Sequence, residues 1–145
     1  MVKKEFARVT HNEHQTMELG EEIARSLKAG AVIALYGDLG SGKTCLARGI
    51  CRGLGVEGTV NSPTFVIVNH YKSVRGNVYH FDFYRLSTQQ EVFDLGFNEY
   101  VKDDSVIIIE WPEIVEEILP RGTIKIRLSH SAESENHRWI KIEMN

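Results

Sequence analysis

Gly37-Asp38-Leu39-Gly40-Ser41-Gly42-Lys43-Thr44 follows the apolar run AVIALY at 31–36 and opens a stretch, roughly 43–54, in which Leu46, Ile50 and Leu54 recur every four residues. A buried strand, a glycine loop and an amphipathic helix in that order decide the fold. The octet satisfies GxxxxGK[ST], a pattern in which successive backbone N–H groups converge on phosphate at a helix N-terminus. Gly37, Gly40 and Gly42 let the backbone curl with no Cβ in the way, Lys43 offers a cation to β- and γ-phosphates, and the Thr44 hydroxyl is a candidate Mg²⁺ ligand. Asp38, Leu39 and Ser41 complete the loop and Cys45 follows it, so residues 37 to 45 are together the candidate nucleotide contacts. A random chain of this length meets the pattern roughly once in 200, and the strand before and helix after it make chance a poor account.

Working outward, KEFARV at 4–9 alternates weakly as an edge strand. Asn12 with Gln15 three residues on resembles a capping box for a helix to about Lys28, with Leu19, Ile23 and Leu27 on one face and Gly30 as its stop. Beyond Gly55, FVIVNHY (65–71) and VYHFDFY (78–84) read as strands joined by a turn at SVRGN. Helical stretches follow near 88–95 and 97–102, then a buried strand SVIIIEW at 105–111, and Pro112 suits the first turn of a short helix to Leu119. TIKIRLS (123–129) and RWIKIEM (138–144) alternate as a closing hairpin around HSAESENH. Continuously apolar strands belong in a parallel centre and alternating ones on antiparallel flanks. The expectation is one α/β domain over residues 1–145, a three-layer P-loop NTPase fold with a mixed sheet.

Composition narrows the function classes. Seventeen Lys plus Arg against twenty Asp plus Glu give a net charge of -3, which argues against a binder that grips nucleic acid through a basic face. The longest apolar runs are far below the roughly 20 residues that span a bilayer, and the opening MVKKEFARVTHNEH carries no export signal. Cys45 and Cys51 share one predicted helix, about 9 Å and roughly 240° apart, out of reach for a disulfide. Reduced thiols and a cytoplasmic location are expected. The six histidines are scattered, without zinc-ligand spacing.

A phosphate loop needs an acid for Mg²⁺ at the end of a nearby strand. Glu110, after Val106–Ile109, is the first candidate. Asp82, in an otherwise aromatic strand, is the second, and the two could exchange the roles of metal ligand and water-positioning base. Thr64 sits where a γ-phosphate-sensing loop often lies, or else merely in the turn that starts a strand. Trp111 is either core filler or a rigid plane facing a partner. No [NT]KxD signature for guanine occurs, so ATP is favoured over GTP. His11 and Arg138 are candidates for stacking on adenine.

GDLGSGKT, NSPTF, HFDFYRL with Glu91 to Gly96, and IEWPE at 109–113 occur in that order. Together they resemble the bacterial TsaE family, also called YjeE, over roughly residues 10 to 140. HFDFYRL with IEWPE is the discriminating pair. Ser41 and Cys45 stand where the family loop usually has Ala and a second Thr. The resemblance implies a small ATPase, taking ATP/ADP and Mg²⁺, that is required for threonylcarbamoyl modification of the adenosine next to the anticodon in tRNA. It further implies TsaB and TsaD as partners, with tRNA contacted only indirectly and no membrane involved. The family's functional residues fall on Lys43, Thr44, Asp82, Glu110 and Trp111. Two rival classes stay open, a small-molecule kinase and a non-hydrolysing nucleotide-gated adaptor on the same fold.

Overall fold

The computed structural model describes residues 4–61, 63, 66–131 and 134–144. Their elements, in chain order, are β1 (Lys4–Thr10), α1 (Glu13–Arg25), β2 (Val32–Tyr36), α2 (Lys43–Gly53), β3 (Val68–Ser73), β4 (Gly76–Asp82), α3 (Gln89–Asp94), α4 (Phe97–Lys102), β5 (Val106–Glu110), a 3-10 helix (Pro112–Ile118), β6 (Ile124–Ser131) and β7 (Ser134–Met144). One seven-stranded sheet runs β1-β7-β6-β2-β5-β4-β3. Its centre, β6-β2-β5-β4, is parallel. The β1-β7, β7-β6 and β4-β3 pairs on the flanks are antiparallel.

Strand alternation sends successive side chains to opposite faces and so creates two cores. Ile33, Leu35, Val106 and Ile108 meet Leu19, Ile23, Leu46 and Ile50 of α1 and α2 on one face. Val32, Ile107, Ile109 and Phe81 meet Val92, Phe97 and Val115 on the other. Three layers result, as expected, and β2 and β5, covered on both faces, are buried at every position. α1 and α2 lie unusually close. A Cβ on Gly49 would stand 2.2 Å from the Met17 carbonyl oxygen, and one on Gly20 would stand 2.6 Å from that of Leu46.

Boundaries depart from expectation where polar groups act locally. Asn12 caps α1 by accepting from the Gln15 N–H at 2.8 Å, but the reciprocal bond runs from the His11 N–H to Gln15 Oε1. α1 stops at Arg25 rather than Lys28, because Ser26 turns both its N–H and its hydroxyl onto the Ile23 carbonyl. Among the described residues, 68–73 and 76–82 form the β3-β4 hairpin against the expected 65–71 and 78–84, residue 65 lying outside the description, with Ser73 paired to Gly76. Ser73 tightens that turn by accepting from the Arg75 N–H and donating to the Gly76 carbonyl. The segment from Pro112 is a 3-10 helix, and β6 and β7 extend into the expected polar loop as far as Ser131 and Ser134.

Candidate functional site

β2 delivers the glycine loop at its C-terminal end, and Gly42 starts α2 from the left-handed region at φ 104. A side chain there would be strained, and none caps the helix. The N–H groups of the first turn therefore stay available to an anion, with the positive end of the helix dipole behind them. Lys43, the first helical residue, is only 5% exposed. Its Nζ donates to the Gly37 carbonyl and lies 3.3 Å from the centroid of the Trp111 ring. Burial pulls this ammonium below its ordinary pKa, while the charges of Glu110, Glu113, Asp82 and Asp38 act in the opposite sense.

The acids come from the neighbouring strand ends. Asp82 of β4 and Glu110 of β5 are register partners, and Glu110 lies on the same face as Val106 and Ile108, the face that α2 covers. They are 4% and 3% exposed. Buried carboxylates need donors, and these have them. Thr44 Oγ1 donates to Glu110 Oε1 at 3.2 Å, His80 Nε2 stands 2.6 Å from Glu110 Oε2, and the Tyr84 N–H donates to Asp82 Oδ1 at 2.9 Å. The main chain ties the pair together as well, since the Phe83 N–H donates to the Glu110 carbonyl and the Asp82 N–H to that of Ile67. Ile67 (φ 70) and Trp111 (φ 56) are the non-glycine residues at positive φ among those described. Such a conformation costs on the order of 1–3 kcal/mol, and both residues adjoin this acidic pair.

A cavity of about 460 Å³ opens over these groups. Among the residues anticipated from sequence, it is lined by Leu39, Gly40, Gly42, Lys43, Thr44, Cys45, Asp82, Glu110, Trp111 and Arg138. Arg138 Nη2 also donates to the Gly40 carbonyl at 3.2 Å, so β7 steadies the loop. Gly37 and Ser41 lie behind the lining; Gly37 serves through its carbonyl, and Ser41 is buried. Asp38 is exposed. His11 is not in the lining: its Nδ1 lies 3.2 Å from His137 Nε2, with the rings edge to face. That wall comes instead from Asn12, Glu13 and Thr16 at the start of α1 and from Asn136. Thr64 lies outside the described residues. Trp111 packs against the second core, as one of its two expected roles has it, and its ring also lines the cavity beside Tyr84.

Sequence reasoning passed over His80. Its signal was present, because two residues before Asp82 on a strand is the same face as Asp82. Only the β4-β5 pairing brings it onto Glu110.

A mixed sheet with a parallel centre, carrying GxxxxGK[ST] between β2 and α2, defines an α/β protein of the P-loop fold class. The family described as "Threonylcarbamoyl adenosine biosynthesis protein TsaE" matches residues 10–140, and the chain belongs to it. The tRNA threonylcarbamoyladenosine biosynthesis protein TsaE of Bacillus subtilis is 37% identical over 126 residues, covering 87% of this chain and 78% of that one. The protein of the same description from Haemophilus influenzae is 35% identical over 134 residues, 89% of this chain and 85% of that one. The crystal structure of Bacillus subtilis YdiB superposes with a TM-score of 0.82 at 30% identity, covering 99% of this chain and 88% of that chain. Among the described residues, no helix is long and apolar enough to cross a membrane.

Proposed function

We propose that this chain binds Mg-ATP and hydrolyses it slowly, as the ATPase of tRNA threonylcarbamoyladenosine biosynthesis, and that TsaB and TsaD stimulate it. One observation carries the reading: a loop lysine and threonine converge with two buried strand-end carboxylates in one cavity, with Thr44 already bonded to Glu110 at 3.2 Å. The uncapped α2 N-terminus and Lys43 suit the phosphates. The hydroxyl and carboxylate oxygens of Thr44, Glu110 and Asp82 suit Mg²⁺, which in nucleotide sites takes one or two carboxylates and completes its shell with phosphate and water. The described residues accordingly need no group of three or more His, Cys, Asp or Glu to hold it, and they have none. When bound, the ion would neutralise charge developing between the β- and γ-phosphates.

The chain's own part is to hold and orient. Loop amides and Lys43 bind phosphate; Thr44 and Glu110 hold the metal; Asp82 accepts from the attacking water and aligns it with the γ-phosphate. Leu39 and Tyr84, 66% and 50% exposed, put apolar surface on the rim of the same cavity, which suits docking of a protein partner that excludes water from the phosphates. In that arrangement the tRNA is met by the partners.

Phosphate release from ATP with no acceptor present, measured with and without TsaB and TsaD, tests the reading. Weak release that the partners raise is expected. ADP formation only when an acceptor is added, with the phosphoryl group carried on that acceptor and no free phosphate, would make the chain a kinase, and nucleotide binding with no release under either condition would make it an adaptor. Asp82→Asn is expected to keep ADP binding and lose release; normal release by that variant would remove Asp82 from the reaction.

A further inference from the structure

His80 is a buried titratable side chain, in contact with the acidic pair, that the mechanism above leaves unused. It is 0% exposed, sits on β4 with its Nε2 2.6 Å from Glu110 Oε2, and its Nδ1 has no hydrogen-bond partner among the described residues. The other Glu110 oxygen receives the Thr44 hydroxyl at 3.2 Å.

The 2.6 Å contact needs one hydrogen between Nε2 and Oε2. An imidazolium would leave an N–H on Nδ1 with nothing to accept it, and so would a neutral ring whose Nε2 accepted from a protonated Glu110. A buried N–H donor without an acceptor is costly. The arrangement without an orphan donor is a neutral ring that carries its proton on Nε2 and gives it to Oε2. A glutamate has three rotatable bonds, and a carboxylate held at one oxygen only can swing about them. Held at Oε2 from β4, the Glu110 carboxylate keeps Oε1 turned to Thr44 and the cavity.

We propose that His80 is a positioning residue: its Nε2–H clamps one oxygen of Glu110 so that the other is presented, together with the Thr44 hydroxyl, to the divalent cation of a bound nucleotide. The assignment rests on the metal-nucleotide reading of the site. It differs from a packing role in what it predicts for metal as against nucleotide. Loss of a group that orients a metal ligand costs 10- to 100-fold in metal affinity and leaves the loop amides and Lys43 untouched.

The experiment compares wild type, His80→Gln and His80→Leu, using a fluorescent ADP analogue titrated in EDTA and then against Mg²⁺. Leucine removes the donor, while glutamine places an amide N–H at a similar reach. In EDTA all three are expected to bind ADP alike. His80→Leu is expected to need roughly 10- to 100-fold more Mg²⁺ to reach the metal-coupled gain in affinity, and His80→Gln to stay within about threefold of wild type. A long-range ¹H–¹⁵N correlation on histidine-labelled protein, with the His80 signals assigned by their loss in His80→Gln, is expected to show the proton on Nε2, and this readout needs no nucleotide. A proton on Nδ1 overturns the proposal. So does a wild-type Mg²⁺ midpoint in His80→Leu, and so does a parallel loss of ADP affinity in EDTA by both variants, which marks packing alone. Wild type whose ADP affinity ignores Mg²⁺ overturns the metal reading of the site, and this assignment with it.

Discussion

Gly49→Ala is expected to destabilise the protein although alanine is the better helix former. The new Cβ would lie 2.2 Å from the Met17 carbonyl oxygen and 2.9 Å from the Met17 Cα. Carbon–oxygen approaches ordinarily stop near 3.3 Å, so α1 and α2 must part by about 1 Å. The obstacle is main chain, so no rotamer can yield. Overpacking of this kind costs about 1–3 kcal/mol, and a gap approaching 1 Å forfeits about a quarter to a half of each dispersion contact it opens. Against this stands the gain of about 1 kcal/mol from replacing a helical glycine. Because the obstacle is main chain, the upper part of that range applies, and the net expectation is a loss of up to about 2 kcal/mol, or up to roughly 7 °C in Tm for a domain of this size. The same separation would carry Asn12, Glu13 and Thr16 at the start of α1 away from Lys43 and Thr44 at the start of α2, since all five line one cavity. Nucleotide affinity should fall with stability. Urea and thermal unfolding beside a nucleotide titration make the measurement. A variant with a Tm at or above wild type, as helix propensity alone would give, refutes the tight-crossing account.

Trp111 should report nucleotide binding. Lys43 Nζ rests 3.3 Å from its ring centroid, and phosphates that draw the ammonium away change the indole's surroundings; in a Trp139→Phe background, emission is expected to shift on adding ADP and to stay fixed when Lys43→Met is added. Thr44→Ala and Lys43→Ala are expected to weaken Mg-nucleotide binding by roughly tenfold or more, about 1.4 kcal/mol, with Tm little changed because neither removes core volume; calorimetry and unfolding decide. Alkaline stability should depend on Cys51. Burial pushes its thiol up to about 12 from an ordinary 9.0. Above pH 9 the unfolded chain therefore releases a proton that the folded one keeps. Stability is complete below that pH and falls as pH rises from about 9 towards 12, by about 1.4 kcal/mol at pH 10. The urea-midpoint gap between Cys51→Ala and wild type should move with pH in that window, and parallel curves would show that Cys51 contributes nothing to it.

The strand, loop and helix from Ala31 to Leu54 were legible because each signal there is local: apolar continuity, glycines where the backbone turns, and a four-residue period. The Asn12 cap was legible for the same reason. Glu110 was found because four apolar residues before an acid describe a strand that ends at a site. The rest depends on which strand lies beside which. His80 has no meaning until β4 pairs with β5, and Gly20 and Gly49 read as weak helix formers until α1 crosses α2. Between His11 and Arg138, both polar residues beside predicted elements, only the register of β7 against β1 and β6 turned one of them onto the loop. Ser73 and Ser26 shortened or shifted elements through local hydrogen bonds that a hydrophobic period does not register.

The pairing of β1 with β7 joins Lys4 to Met144 and Thr10 to Arg138, and it sets a timetable for synthesis. Chains emerge at roughly 5–20 residues per second, so β2, the glycine loop and α2 leave the ribosome several seconds before β7 does. The loop can then form by local contacts alone, with no Arg138 on the Gly40 carbonyl and no Asn136 wall. The first strand meanwhile has no neighbour and bears exposed edge groups, a state that favours association with other nascent chains or with chaperones. Completion of the cavity in this way waits until β7 has met β1 and β6, and a ribosome-bound fragment ending before Ser134 should carry the loop without the finished cavity.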